Sequence, residues 1–193
     1  QFKASEAVGL IERAGITSTV MMGTLLQALT EAPEFETANL SSLRVLLTGG
    51  GAIPYALRRR VYDRMGPILG VWAAATETGP YANLSGEALK AQTGESNCVG
   101  RVFFGVELQL RGDDGTIVSP GDVGEIFVGS PFQFDGYRND IEATQETIKD
   151  GFISVGDLGR FDEEGLLHFV GRKRDIIKSG GINVYAPEIE EAL

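Results

Sequence analysis

The sequence predicts an α/β region followed by a β-rich region, and the pattern of apolar residues and turn residues changes near residue 97. Before that point, segments with apolar residues at helical spacing alternate with short apolar runs of strand length. Such alternation is typical of a parallel sheet with helices packed on it. After that point, short runs are separated by Gly, Asp and Pro, which predicts a compact, barrel-like β unit.

The elements of the α/β region follow from apolar periodicity, from capping residues and from turn residues. The stretch 43–47 is rich in apolar residues and predicts a strand that is buried on both faces. The predicted helices cover 5–14, 24–30 and 55–65, and the predicted strands cover 16–20, 43–47 and 68–73.

In the β region, the alternation of residues 106–111 (VELQLR) predicts a strand, and Asp113-Asp114-Gly115 predicts a hairpin turn. A single helical turn is expected within 142–149. Residues 171–175 are expected to form a joint, followed by a strand, a loop and the start of a helix over 176–193. Pro187, in a run of glutamates, suits the first turn of that helix.

Charge and cysteine content narrow the class of protein. The chain has 193 residues and a formal net charge of −10, which disfavours nucleic acid and anionic membrane as main partners. Cys98 is the only cysteine, so an internal disulfide is excluded and a reducing compartment is expected. No stretch reaches the roughly 18 apolar residues of a membrane span, and residues 1–10 lack the pattern of a signal peptide. We therefore expect a cytoplasmic protein without a transmembrane segment.

The last forty residues carry groups that suit a nucleotide ester. A carboxylate such as Asp157, which follows a glycine, can accept both hydroxyls of a ribose. A guanidinium such as Arg172, in the sequence GRKRD, can bind ribose or phosphate oxygens through two nitrogens. Gly180-Gly181, in the sequence KSGGIN, would let the backbone approach a ligand where a side chain would collide.

Two further motifs follow predicted strands, where open α/β sheets place their ligand crevices. Thr76 can bond a phosphate oxygen, and Glu77 can bind a Mg²⁺ ion that keeps most of its waters. The loop 48–54 (TGGGAIP) would allow backbone close to a flat ring. Taken alone, each motif has a simpler structural interpretation, because Thr-Glu is a common helix start and a glycine run is a common turn.

The order and spacing of these motifs resemble the adenylate-forming superfamily, which includes acyl-CoA synthetases, aryl-CoA ligases, luciferases and adenylation domains. The resemblance is ungapped and covers nearly the whole chain. It implies an α/β plus β fold: the end of a parallel α/β subdomain, a β-barrel-like subdomain and the start of a small α+β C-terminal domain. The implied boundaries are 1–96, 97–171 and 172–193.

The resemblance also implies residue roles. Two residues keep the catalytic pattern, with Thr76 at the phosphate and Glu77 at Mg²⁺. The loop Gly49, Gly50, Gly51 would border adenine, Asp157 and Arg172 would hold the ribose, and Arg174 would be the hinge of the mobile domain. Small residues at Ala73, Ala74 and Ala75 would line the acid pocket, and Lys178, Ser179, Gly180 and Gly181 would line the tunnel for the pantetheine arm of CoA. Ala73, Ala74 and Val155 depart from the usual aromatic, glycine and threonine.

The reaction implied by the resemblance has two steps. A small-molecule carboxylic acid and ATP, with Mg²⁺, give an acyl-AMP and pyrophosphate, and CoA then displaces AMP to form a thioester. Two alternatives stay open, namely a non-catalytic nucleotide- or acyl-binding module and an adenylation enzyme with another acceptor, such as a carrier-protein thiol or oxygen. Neither the phosphate loop nor the C-terminal catalytic lysine of the family is found, so we expect the isolated chain to be an internal piece with weak binding at most.

Three residues belong to types that are often functional, but we predict no functional role for them. His168 alternates with apolar neighbours in a predicted strand and is expected to lie on the surface. Cys98 has no histidine near it in sequence and is expected to be inert. Lys173 is expected to lie on a solvated turn.

Overall fold

The computed structural model describes residues 2–51, 53–91, 97–179 and 182–185. Within it the chain forms two compact units. Unit 1 comprises Gln1–Trp72 and Leu84–Ser96, and unit 2 comprises Ala73–Asn83 and Asn97–Leu193. The α/β plus β fold class predicted from the sequence is confirmed.

Unit 1 contains a parallel sheet in the order β1–β2–β3, with Ser18 opposite Val45 and Leu46 opposite Leu69. The helices between the strands make the connections that parallel pairing requires. The elements are α1 (Ala4–Ala14), β1 (Ser18–Val20), α2 (Gly23–Glu31), a 3₁₀ turn (Pro33–Glu36), β2 (Val45–Gly49), α3 (Tyr55–Met65), β3 (Leu69–Ala75, which ends in unit 2) and α4 (Gly86–Ala91).

The helices of unit 1 form where the sequence places apolar residues on one face. In α1 these are Val8 and Ile11, and in α2 Leu26 and Leu29, and all four are buried. Burying each such side chain contributes about 1.5–3 kcal/mol. Helix α1 ends at Gly15, whose φ of 61° provides the left-handed cap.

The strand β2 buries one face only. Val45 is 42% exposed, whereas its neighbour Leu46 is fully buried. The expectation that this strand is covered on both faces is therefore wrong. The stretch contains Arg44, and its side chains alternate between the two faces as they do in any strand.

The basic cluster at the start of α3 is used within unit 1. Arg58 is 2% exposed, and its Nε donates a hydrogen bond to the Ile53 carbonyl oxygen at 2.7 Å. Arg59 pairs with Asp63 one helical turn away, at 3.0 Å. The Arg58 bond ties α3 to the loop before it, and the Arg59–Asp63 pair within the helix neutralises part of the local positive charge.

Unit 2 is built on antiparallel strands in the order β4–β5–β11–β10–β7–β9–β8, with β6 also paired to β7. Its core cluster is formed by buried apolar residues from β4, β5, β6, β7 and β11. The elements are β4 (Gly79–Ser85, which ends in unit 1), β5 (Cys98–Val102), β6 (Glu107–Arg111), β7 (Gly124–Gly129), α5 (Ile141–Thr147), β8 (Ile148–Lys149), β9 (Phe152–Ile153), β10 (Asp157–Phe161), β11 (Leu167–Arg172), a 3₁₀ turn (Lys173–Asp175), β12 (Ile177–Ser179) and β13 (Ile182–Val184).

A β-bulge interrupts the β10–β11 pair next to its open end. Asp157 faces Arg172 and Leu158 faces Gly171, but Gly159 faces Phe169, so Val170 is the extra residue. Bulges twist a strand locally and often re-aim side chains beside functional sites. Here the bulge follows directly after the two residues that the sequence analysis assigned to a ribose.

His168 is buried, so the prediction of a surface histidine is wrong. Its exposure is 5%, and its Nε2 lies 2.8 Å from Asp162 Oδ2. The pairing of β11 with β5 shifts register between Leu167 and His168, and this irregularity breaks the simple alternation on which the prediction depended. Leu167 and His168 are therefore both buried, and the His168 ring is hydrogen-bonded to the Asp162 carboxylate. Cys98 is also buried, at 0% exposure.

At the end of the described chain, β12 and β13 form an antiparallel pair, with Ile177 opposite Val184. The predicted helix at Pro187 lies outside the described residues. No helix in the described part of the chain combines the length and the apolar character needed to cross a membrane.

Candidate active site

Unit 2 contains a cavity of about 500 Å³. It lies where the β3–β4 turn, the start of β10 and the end of β11 come together. Most of the residues predicted for nucleotide binding in this unit line it. The lining residues are Ala74, Ala75, Thr76, Glu77, Tyr137, Thr147, Ser154, Val155, Asp157, Arg172 and Arg174.

The turn that carries Thr76 and Glu77 is fixed by backbone contacts. The Phe134 amide donates a hydrogen bond to the Glu77 carbonyl oxygen at 2.9 Å. Gly79, which starts the next strand, has a φ of +68°, and a Cβ there would lie 2.9 Å from Phe132 Cβ. The glycine therefore lets the turn pack against the loop 130–134. The Thr-Glu pair lies in a strand-to-strand turn, so its simpler reading as a helix start does not apply.

The Glu77 carboxylate is oriented by Tyr137, which the sequence analysis did not identify. The Tyr137 hydroxyl donates to Glu77 Oε1 at 2.6 Å, and its ring meets Phe134 edge-on with centroids 4.9 Å apart. The hydrogen bond to Glu77 is the largest cause of a raised pKa at Tyr137, followed by partial burial. The two residues are 60 positions apart, so no local pattern could have linked them.

Asp157 and Arg172 form the opposite wall. Asp157 is 7% exposed, and Arg172 Nε lies 3.2 Å from its Oδ1. This contact is an ion pair without hydrogen-bond geometry, and Oδ1 is left buried without a hydrogen bond. Burial raises the pKa of Asp157, the positive charges of Arg172 and Arg174 oppose this, and the negative charge of Glu77 adds to it. A ligand hydroxyl that donates to this carboxylate would offset part of the cost of its burial, which the ion pair with Arg172 already reduces.

The donor set fits Mg²⁺ in one particular way. Among the described residues there is no group of three or more His, Cys, Asp or Glu side chains that could hold a metal ion. Mg²⁺, however, is commonly held by one or two carboxylates together with substrate phosphates and water. Glu77 supplies such a carboxylate at the cavity wall.

The remaining predicted residues are distributed as follows. Ala74 and Ala75 line the cavity, whereas Ala73 packs against the core cluster of unit 2. Arg174 lines the cavity with a side chain that is 75% exposed, and its Nε lies 3.6 Å from Asp175 Oδ1. Lys178 and Ser179 lie on β12, and Gly180 and Gly181 lie outside the described residues.

The loop Gly49–Gly51 belongs to unit 1, where packing explains part of its glycine content. A Cβ at Gly49 would lie 2.5 Å from the Trp72 carbonyl oxygen on the neighbouring strand. Gly50 has a φ of +83°, and a Cβ there would collide with Met22 Cε. Gly51 has a φ of +154° and open space at the Cβ position. A role in nucleotide binding stays a prediction for this loop.

Lys173 lies in an exposed 3₁₀ turn, as expected, and its side chain also makes two ion pairs that the sequence did not predict. Its Nζ is 2.9 Å from Glu125 Oε2 and 3.1 Å from Asp113 Oδ1. Neither partner is near Lys173 in sequence, and only the folded hairpins bring them together. The lysine is held between β7 and the turn that follows β6.

This chain belongs to the AMP-binding enzyme family, whose model matches residues 1–138. The fold and the placement of the polar groups in unit 2 agree with that membership. The match extends from the parallel sheet of unit 1 to the Tyr137 loop, and the Asp157–Arg172 hairpin follows it.

Named relatives are similar along the whole chain. An indoleacetate–CoA ligase of Aromatoleum aromaticum is 38% identical over 193 residues, which are 100% of this chain and 37% of the relative. The O-succinylbenzoate coenzyme A synthetase of Bacillus subtilis, solved with ATP and magnesium ion, is 30% identical with a TM-score of 0.87, covering 98% of this chain and 38% of that one. The amide bond synthetase McbA of Marinactinospora thermotolerans is 32% identical with a TM-score of 0.92, covering 99% and 39%. This chain thus spans less than half the length of each.

Proposed function

We propose that this chain is part of an ATP-dependent carboxylic acid–CoA ligase. The observation that carries the proposal is that Thr76, Glu77, Asp157 and Arg172 line one cavity in a member of the AMP-binding enzyme family. These groups match the parts of an adenylate, namely phosphate, metal ion and ribose. The reaction would join an acid to AMP with release of pyrophosphate and then transfer the acyl group to CoA.

In this proposal the ribose binds between Asp157 and Arg172. The Asp157 carboxylate accepts a hydrogen bond from a ribose hydroxyl once Arg172 turns aside, and this adds a donor to a carboxylate whose Oδ1 makes no hydrogen bond within the protein. Arg172, half-exposed at its side chain, can turn part of its guanidinium towards the same sugar while it keeps Asp157 charged. The pair therefore binds the ligand and reduces the cost of burying a carboxylate.

The phosphate end of the ligand would lie at the β3–β4 turn. The Thr76 hydroxyl would donate to a phosphate oxygen, and Glu77 would hold Mg²⁺ with Tyr137 fixing its orientation. When bound, Mg²⁺ neutralises part of the negative charge on the phosphate oxygens. Because little covalent work is left to the protein, positioning and charge stabilisation account for the rate.

We propose an aromatic acid as the carboxylic acid and CoA as its acceptor. Support comes from the relatives named for indoleacetate and O-succinylbenzoate, and from the small side chains of Ala74 and Ala75 at the cavity wall. These residues leave room for a bulky group. Lys178, Ser179, Gly180 and Gly181 are proposed to contact the pantetheine arm, and Arg174 is proposed as the hinge between the two half-reactions.

A second candidate function differs in the acceptor only. The amide bond synthetase McbA is similar over 99% of this chain, so an amine that attacks the acyl-AMP is the competing proposal to CoA. A non-catalytic binding module is a third candidate, favoured by the unusual Ala73, Ala74 and Val155. All three candidate functions use the same adenylate site, and they differ in whether a reaction follows binding and in which acceptor takes the acyl group.

The test is acid-dependent exchange of radioactive pyrophosphate into ATP, measured across aryl, arylalkyl and medium-chain acids. The 193-residue chain is assayed beside the longer protein to which we propose it belongs. We expect exchange in the longer protein, highest with an aromatic acid, and at most weak nucleotide binding in the chain alone. Adding CoA or an amine then identifies the acceptor by its product. The absence of exchange by the longer protein with every acid would contradict a ligase and favour the binding module.

A further inference from the structure

We propose that Lys173 is a positioning residue for the ribose site, acting through Glu125 and Ser154. The proposal rests on the proposed function, because it concerns the same pair of residues, Asp157 and Arg172. It assigns a role to three side chains on which the sequence analysis placed no functional weight. Ser154 lines the cavity, whereas Lys173 and Glu125 do not, and none of the three is proposed to touch the ribose.

The first step is the anchoring of Lys173. Its ammonium contacts Glu125 Oε2 on β7 at 2.9 Å and Asp113 Oδ1 in the turn after β6 at 3.1 Å. The hydrogen bonds to Glu125 and then Asp113 raise the pKa of Lys173. At Glu125, burial raises the pKa, but the bonds from Ser154 and Lys173 outweigh it, so its net pKa is lowered. Both groups are therefore charged over the neutral range.

The second step connects this anchor to the turn before Asp157. Ser154 donates to Glu125 Oε1 at 2.6 Å, and its oxygen accepts from the Gly156 amide at 3.2 Å. The Gly156 carbonyl oxygen in turn accepts from the Lys173 amide at 2.8 Å. The contacts close a ring that begins and ends at Lys173.

The ring borders both ribose residues. Gly156 immediately precedes Asp157, and Lys173 immediately follows Arg172. Asp157 and Arg172 are themselves opposite each other in the β10–β11 pair, next to the bulge. A β-bulge leaves the local ladder incomplete, so the side-chain ring supplies the constraint that the ladder does not. Without the side-chain contacts of Lys173, the distance between Asp157 and Arg172 would be set only by the backbone pairing and by their own ion pair.

We expect this ring of contacts to fix the positions of Asp157 and Arg172 more than it stabilises the fold. The Lys173 side chain is 46% exposed, and ion pairs of this exposure contribute little to stability. Positioning, by contrast, is sensitive, since a displacement of about 1 Å can cost about 100-fold in rate. Removal of the lysine should therefore affect recognition of the ribose more than thermal stability.

The experiment compares AMP with 2′,3′-dideoxy-AMP, which lacks both ribose hydroxyls. Dissociation constants are measured by calorimetry on the longer protein for the wild type, Lys173→Met and Ser154→Ala. Lys149→Met is the matched control, because Lys149 acts on Glu125 through charge only and lies outside the cavity. We expect both ring variants to bind AMP about 5- to 10-fold more weakly, with the dideoxy nucleotide unchanged. The control should bind both nucleotides like the wild type, and Lys173→Arg should recover most of the loss.

The outcomes separate the two proposals. If the wild type does not distinguish AMP from the dideoxy nucleotide, or binds neither, the proposed ribose site is wrong and the role of Lys173 is rejected with it. If the wild type discriminates and both ring variants discriminate equally well, the ribose site stands and the positioning role is overturned. An equal loss for both nucleotides, matched by a fall in melting temperature, would make Lys173 a structural residue only.

Discussion

The two ends of the β10–β11 hairpin each hold an aspartate, and the two aspartates are in opposite situations. Asp162, at the closed end, accepts from His168 and from the backbone amides of Glu164 and Leu166. Asp157, at the open end, is more buried and has an oxygen without a hydrogen bond. This difference is the one expected if Asp162 serves the fold and Asp157 binds a ligand.

The pKa directions follow the same division. At Asp162 burial raises the pKa, but the hydrogen bonds from His168 and Leu166 outweigh it and the net pKa is lowered. At Asp157 burial raises the pKa, and the two arginines do not fully offset it. Asp157 is thus kept at a cost to the fold, which is the pattern expected of a functional group.

The largest expected effect is on the activity of Asp157→Asn. We expect ATP–pyrophosphate exchange by the longer protein to fall about 100- to 1000-fold, because a positioned polar group at the adenylate is weakened. The fold should be as stable as the wild type or more so at neutral pH. A raised pKa in the folded state means that stability is full below the unfolded pKa and is lost as pH rises through the folded pKa. The asparagine removes this loss.

The measurements are exchange kinetics and thermal melts from about pH 4, the unfolded pKa of an aspartate, to neutral pH. The stability difference between Asp157→Asn and the wild type should grow as pH rises through the raised folded pKa of Asp157 and stay constant above it. Full activity in a well-folded Asp157→Asn protein would show that Asp157 is not a functional carboxylate.

Asp162→Asn tests the structural end, where a smaller effect is expected. The lost bond leaves the buried His168 ring with a weaker partner, so unfolding should become easier by about 1–3 kcal/mol at neutral pH. The lowered pKa means that the aspartate stabilises above its unfolded pKa of about 4 and ceases to do so as pH falls through the folded pKa. Denaturant titrations at neutral and acidic pH should therefore show the difference shrinking with acid. A loss of nucleotide affinity at unchanged stability would reverse the assignment.

The smallest effect is expected for Tyr137→Phe, which sharpens the role of the other cavity wall. Loss of the hydroxyl frees the Glu77 carboxylate at a cost of about 0.5–1.5 kcal/mol. We expect weaker Mn²⁺ binding in the presence of nucleotide, detected by electron paramagnetic resonance, and unchanged discrimination between AMP and its dideoxy analogue. Phe134→Leu is the control, since it alters the ring contact and keeps the hydroxyl. Equal Mn²⁺ affinity in Tyr137→Phe and the wild type would remove the tyrosine from the metal site.

Local sequence patterns predicted the helices and turns well, because residues close together in sequence determine these elements. The helix 55–65 was predicted with the bounds of α3, whereas α1 begins one residue before its predicted start and α2 is one residue longer at each end. The strand over 43–47 was found shifted, at Val45–Gly49, and the hairpin turn at Asp113–Gly115 forms as expected, with the Gly115 amide bonded to the Gly112 carbonyl oxygen. Helical periodicity and turn residues act over a few positions, so the sequence alone is informative there.

The parts that could not be predicted depend on contacts between distant residues. Tyr137 reaches Glu77, and Lys173 reaches Glu125 and Asp113, only after the strands of unit 2 have paired. His168 was misplaced because a register shift, which no local pattern reveals, turns it inward. The candidate site residues Thr76, Glu77, Asp157 and Arg172 came from motif resemblance, and the fold adds their common cavity and the missing donor at Asp157.

The proposed adenylate site can be tested directly by a crystal structure of the longer protein with a non-hydrolysable acyl-adenylate analogue. We expect the ribose hydroxyls within hydrogen-bonding distance of the Asp157 carboxylate, whose Oδ1 makes no hydrogen bond within the protein. We also expect the phosphate mimic beside Thr76 and Glu77. An analogue bound elsewhere, or a ribose turned away from Asp157, would overturn the proposed site.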